Sequence, residues 1–168
     1  YQPFNKDGLF NFYRYKMLAY QEWEALYNDG KLNALQRQFF ESRGPEGLYD
    51  IDQDPHEVND LSASPDHQEI LLQMRKQLQQ KLLALPDLSF YPEPYLLDHA
   101  LENPVVFGQN NQDEIKELMM VADLNLSRFE EVQEQIKQAL SDDNPWKRYW
   151  GLVVCTSCLL YTSPSPRD

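Results

Sequence analysis

Three carboxylates in close succession, Asp52, Asp54 and Glu57, are the first residues whose spacing suggests chemistry, since hard cations are held by oxygens gathered in a tight loop. A calcium loop of the EF type also needs a glycine at its bend and further ligands. The run Asp52-Gln53-Asp54-Pro55 supplies neither, so it reads as a solvated turn. His56, His67 and His99 have no spacing that sets two of them on one helix face, and no cysteine pair accompanies them; capping or surface roles follow. Cys155 stands beside Val153 and Val154 and reads as a small buried apolar residue rather than a nucleophile. Tyr1 to Phe4 and Lys16 could border a pocket, with ring packing and solvent exposure as the simpler roles. No glycine-rich phosphate loop, triad-like arrangement or basic-aromatic patch of the nucleic-acid-binding kind is visible.

The composition sets the bounds within which such residues act. With a net charge of −12 the chain opposes nucleic acid binding, and any polyanionic ligand would need a local basic pocket to overcome the long-range field. A hydrophobic content of 42% can supply a core. No apolar run approaches the roughly 18 residues that a membrane span requires.

The elements that must position these side chains are mostly helices. From Tyr13 to Tyr27 the apolar residues Met17, Tyr20, Trp23 and Tyr27 recur at spacings of three and four, which predicts one aromatic-faced helix stopped by Gly30. Asn33 with Gln36 predicts a capping box on a second, shorter helix that buries Leu35, Phe39 and Phe40. Leu48 to Ile51 predicts a short strand, paired antiparallel and closed by the turn at Asp54-Pro55, with Asn59 taking a left-handed conformation. Ser64-Pro65 opens a helix with Leu71, Met74, Leu78, Leu82 and Leu85 as its stripe, ended by Pro86. A connector rich in proline and aromatics follows, too apolar for a free linker. Asn111 with Glu114, Ser127 with Glu130, and Asn144 with Pro145 then start three helices, whose inner faces are Ile115, Leu118 and Met119 in the first and Phe129, Val132, Ile136 and Leu140 in the second.

The stretch Leu48-Tyr49-Asp50-Ile51-Asp52-Gln53-Asp54-Pro55-His56-Glu57-Val58-Asn59-Asp60-Leu61 resembles the Leu-Tyr-Asp-Leu, Asp-Pro, Glu, Asn, Leu signature near the C-terminus of sulfatases. Ile51 stands where leucine is usual, Asp60 replaces a frequent asparagine, and Gly47 sits where an acidic residue often precedes the strand. The similarity extends back through Gly30-Lys31-Leu32-Asn33 and Phe39-Phe40, a helical segment found in some glycan-directed members. In that family the signature belongs to a smaller C-terminal sheet, not to the sulfate pocket. The resemblance implies a periplasmic or secreted parent that hydrolyses a sulfated small molecule or glycan. It also implies a formylglycine nucleophile made from a C/S-x-P-x-R motif and a bound calcium, all outside this chain. Ser163-Pro164-Ser165-Pro166-Arg167 has the wrong order for that motif, so no catalytic, cofactor or metal residue is assigned here.

Leu140-Ser141-Asp142-Asp143-Asn144-Pro145, with Arg148, Tyr149 and Trp150, resembles the turn of a HEAT-type repeat, in which turn aspartates pair with the following arginine. Cys158 to Asp168 resembles one translated frame of a transposase adapter used in sequencing libraries. These eleven residues are then expected to pack against nothing, and the natural chain to continue past Ser157 as well as before Tyr1. The expected fold class is therefore α+β and mostly helical: a short strand of a small antiparallel sheet packed by helices, then an all-α HEAT-like segment. On these resemblances residues 1–85 are expected to form part of a sulfatase C-terminal subdomain, 86–110 the connector, 111–157 the truncated helical segment and 158–168 an adapter-derived artefact. A helical-repeat interaction scaffold, or a phosphodiesterase or phosphonate hydrolase of the same superfamily, fits the same residues. The two kinds of parent differ in what lies upstream.

Overall fold

The computed structural model describes residues 12–41 and 44–162, with side chains through residue 156. The chain divides into two compact units, Tyr1–Asp60 and Leu61–Asp168. Among the described residues every regular element is helical.

In the first unit a single 3-10 turn, Arg14–Lys16, precedes α1, Leu18–Asn28. The predicted continuous helix from Tyr13 is thus broken at Met17, whose extended backbone (ψ 117°) separates the two pieces. Side-chain packing favours the break: Tyr15 meets Tyr20 edge-on with centroids 5.3 Å apart, and Gln21 Nε2 donates to the Tyr15 carbonyl at 2.6 Å. Gly30 ends α1 as expected. At φ +68° it lets its own N–H reach the Tyr27 carbonyl (3.0 Å) while Lys31 N–H reaches Leu26 (2.9 Å), a Schellman pair that satisfies carbonyls the helix leaves open. The capping box of Asn33 and Gln36 is present, but α2, Ala34–Arg37, is only one turn long. Leu35 is exposed, and Phe39 and Phe40 lie beyond the helix, where they pack on Trp23 (4.8 and 4.9 Å), with Phe40 also stacked on Tyr27 (4.6 Å).

The expected strand at Leu48–Ile51 does not form, and with it the α+β class is overturned. A strand exists through a ladder of inter-strand hydrogen bonds, and the local polar groups meet their needs without one. Leu48 N–H donates to the Asp60 carboxylate at 3.0 Å, and Asp50 Oδ1 accepts from the N–H groups of Asp52 (3.1 Å) and Gln53 (3.3 Å). Asp54 N–H reaches the Asp50 carbonyl at 2.7 Å, closing a turn at Ile51–Gln53. The left-handed residue is Glu57 (φ 53°), not Asn59. Its neighbour Asp54 explains this, since its Oδ2 holds the Asn59 N–H at 2.7 Å and obliges the chain to bend sharply between them.

In the second unit the 3-10 turn Pro65–His67 leads into α3, Gln68–Ala84. Only part of the expected stripe is inside: Leu71 is buried and Leu82 is packed against the core, whereas Met74, Leu78 and Leu85 are exposed. A second 3-10 turn, Leu88–Phe90, and two short helices, α4 (Glu93–His99) and α5 (Pro104–Asn110), occupy the proline-rich stretch. Then follow α6, Gln112–Asp123, α7, Phe129–Leu140, and α8, Pro145–Thr162.

The core gathers Phe90, Tyr91, Ile115, Leu118, Met119, Ala122, Trp150 and Val153. Trp150 Nε1 donates to the Phe90 carbonyl at 2.8 Å, so the one polar atom of a buried indole is satisfied by the irregular stretch that wraps it. A smaller cluster of Val132, Ile136 and Val154 joins α7 to α8. Gly151 lies so close to Leu140 and Ala139 that an added Cβ would stand 3.2 Å from a Leu140 methyl, and this close approach fixes the α7–α8 crossing. Phe129, expected inside, is exposed, and neither Asn111 nor Ser127 supplies a side-chain cap. Asn144 does, as α8 begins. The α8 backbone continues to Thr162, while the expectation that Cys158–Asp168 packs against nothing falls on side chains outside the described residues.

Candidate functional site

The first unit contains an open cleft of about 530 Å³. Rings of Trp23, Phe39 and Tyr49 form part of its wall, and Glu41, Glu57, Asp60 and His56 supply its polar groups. Two of the carboxylates already have work within the fold: Asp60 holds Leu48 N–H, and Glu41 stands 3.3 Å from Arg37 Nε. Glu57 and His56 are exposed on the rim. A cleft with three carboxylates suits an uncharged hydroxylated or a cationic guest and repels a sulfate.

The run first suspected of holding a cation spends its oxygens on its own backbone. The Asn59 N–H on Asp54 holds that carboxyl below its ordinary value, with smaller contributions from the N–H groups of Val58 and His56. Among the described residues no three His, Cys, Asp or Glu side chains are grouped to hold a metal ion. His67 Nδ1 lies 2.9 Å from Ser64 Oγ at the start of α3, and His99 Nδ1 lies 2.9 Å from the Tyr95 carbonyl with its ring stacked on Tyr95 at 4.1 Å. Cys155 is half-buried against the α7–α8 cluster. Tyr1 to Phe4 and Ser163 to Arg167 lie outside the described residues.

Three arrangements had no clear signal in the sequence. Glu114 is the acceptor that ties separate elements of the second unit together: it takes the Tyr91 hydroxyl and the Asn144 side-chain N–H. Burial, reinforced by that hydrogen bond, pushes the Tyr91 phenol well above its usual range. Lys147 bridges Glu117 (2.8 Å) and Asp142 (3.3 Å), while Arg148 donates to the backbone carbonyls of Asp142 and Asp143, not to their carboxylates. In the first unit the Lys16 ammonium lies over the rings of Phe12 (4.6 Å) and Tyr13 (5.3 Å), a basic-aromatic grouping that residue order alone did not disclose.

Comparison with known proteins finds an ulvan-active sulfatase of Formosa agariphila, 37% identical over 101 residues. The match covers 60% of this chain and 16% of that enzyme. No family model matches the chain, and no solved structure does. Part of the chain is therefore related in sequence to a sulfatase, and that part corresponds to a small share of the enzyme.

Proposed function

We propose that the chain is the C-terminal part of a sulfatase acting on sulfate esters of a sulfated glycan, and that it contributes architecture rather than the reacting groups. The observation that carries this reading is the 37% identity over 101 residues to an enzyme named for activity on ulvan. The Leu48–Leu61 stretch supports it, because its resemblance to the sulfatase signature rests on residues that here build a self-satisfied turn: the carboxylates of Asp60, Asp50 and Asp54 accept from the backbone N–H groups of Leu48, Asp52 and Asn59 in turn. In this reading formylglycine and calcium belong to the remainder of the parent enzyme and supply its nucleophile and its charge stabilisation.

The decisive experiment is the DNA upstream of Tyr1 from the same source. A few hundred residues of α/β sequence are expected there, with C/S-x-P-x-R near the beginning and acidic and Asn residues able to bind one calcium. The parent expressed from that frame should release inorganic sulfate from ulvan. The helical character of the second unit favours one alternative, a helical-repeat interaction scaffold. An upstream frame holding only repeated helix pairs would establish that alternative and remove the sulfatase reading.

A further inference from the structure

Where α3 ends in the second unit, Leu85, Pro86 and Leu88 line one side of an open groove of about 520 Å³, and Val105, Gly108 and Gln109 of α5 line the other. The two sides meet at Gly108, where an added Cβ would stand 3.3 Å from a Leu88 methyl and 3.4 Å from the Pro86 Cβ. Leu85 and Val105 are 66% and 67% exposed, and Leu101, just ahead of α5, is 72% exposed, so an apolar surface stays open to water around the groove. We propose that this groove docks an amphipathic helix with basic flanks, presented by another protein, a role independent of the sulfatase reading.

The lining selects a helix over other peptide forms. An extended strand docks by pairing with a sheet edge, and the described residues form none. A proline-rich segment docks on aromatic rings and a phosphorylated one on an arginine cluster, and neither lines the groove. What the groove offers is apolar recesses between helical walls, which take the side chains that one helix face presents at spacings of three and four.

Charge selects which helix. From Leu82 to Ile115 the sequence has six carboxylates and no Lys or Arg. Asp87 lies between Pro86 and Leu88, Glu102 precedes Pro104 by two residues, and Asp113 follows Gln112, so three of the six adjoin residues of the lining. None of these three forms an ion pair among the described residues. Lys81 and Lys116, a helical turn outside the stretch, leave the surroundings net negative. A second copy of this chain would bring the same carboxylates against one another, whereas lysines or arginines beside an apolar stripe would complement them.

The test is fluorescence anisotropy of labelled two-heptad peptides titrated with the full 168-residue chain at physiological salt. The probe has leucine at positions a, d and e and lysine elsewhere; one control has the same composition in an order without helical period, and another has glutamate in place of lysine. Binding of the probe is expected, with both controls at least about tenfold weaker. Leu85→Ser and Val105→Ser, both at exposed positions, should each weaken the probe about tenfold with an unchanged circular dichroism spectrum. Glu102→Lys should weaken it as well, and Leu152→Ser, exposed on α8, should bind as the wild type does. No binding, equal binding of either control, or undiminished binding by the Leu85→Ser/Val105→Ser double variant would overturn the site. Self-association in sedimentation that the same double variant abolishes would also overturn it, in favour of a second copy. Failure here leaves the sulfatase reading untouched, because the upstream reading frame decides that separately.

Discussion

Asp123, at the end of α6, accepts a hydrogen bond from Gln79 Nε2 at 2.6 Å, yet burial raises its carboxyl to about 6 from an ordinary value of 3.8. A raised value means that the folded state binds the proton more tightly than the unfolded state. The associated stability is thus fully present below about 4 and is lost as pH rises through about 6. Asp123→Asn keeps the acceptor and removes the charge, so it should stabilise the second unit at pH 7.5 and make little difference at pH 4. Allowing for solvent screening of a half-buried group, the gain at pH 7.5 is about 1 kcal/mol, or about 4 °C in Tm. Thermal melts of both proteins at the two pH values check it, and a difference independent of pH would refute it. No sequence signal marks this residue, because its burial arises from α3 lying against α6.

At the scale of elements, the turn between α7 and α8 shows how one side chain can serve two purposes. Asn144 Oδ1 accepts from the N–H of Trp146 at 2.8 Å and of Lys147 at 3.4 Å, while its Nδ2 donates to Glu114 on α6. The capping half was readable, since asparagine followed by proline is a helix start. The tie to α6 was not, because it joins residues 30 apart in sequence. Asn144→Ala should therefore cost about 2 kcal/mol, one part for the cap and one for the partner lost by Glu114. Asn144→Ser should recover the capping half alone. Urea midpoints of the three proteins separate the contributions, and equal midpoints for the serine and alanine variants would show that the cap carries nothing.

For the whole molecule, the two units differ in how much they bury. In the first, only Tyr20 and Leu48 of the described apolar residues are buried, with half-exposed rings around them, whereas the second encloses two connected sets of side chains from α6, α7 and α8. Local opening follows from few buried contacts. In hydrogen exchange of the full chain, amides of α6 and α8 should be the slowest, and those of α1 and the Leu48–Asp60 stretch should exchange at least tenfold faster. Equal protection across the two units would contradict this ordering.

What the sequence determined by itself is whatever depends on neighbours along the chain: the Gly30 stop, the Asn33–Gln36 box, the proline boundaries of α3 and α8, and the apolar faces of α6 and, Phe129 apart, of α7. The sulfatase relationship was legible for the same reason, as a local signature around Asp54-Pro55. What only the tertiary structure decided depends on groups distant in sequence. Leu48–Ile51 has the pattern of a strand, but a strand needs a partner's carbonyls, and the Asp60 carboxylate took its first N–H instead. Met74 and Leu78 have helical spacing with Leu71, but spacing cannot say how wide a stripe the core will cover. The placing of the Lys16 ammonium over the rings of Phe12 and Tyr13 likewise involves the Arg14–Lys16 turn, which the break at Met17 sets apart from α1.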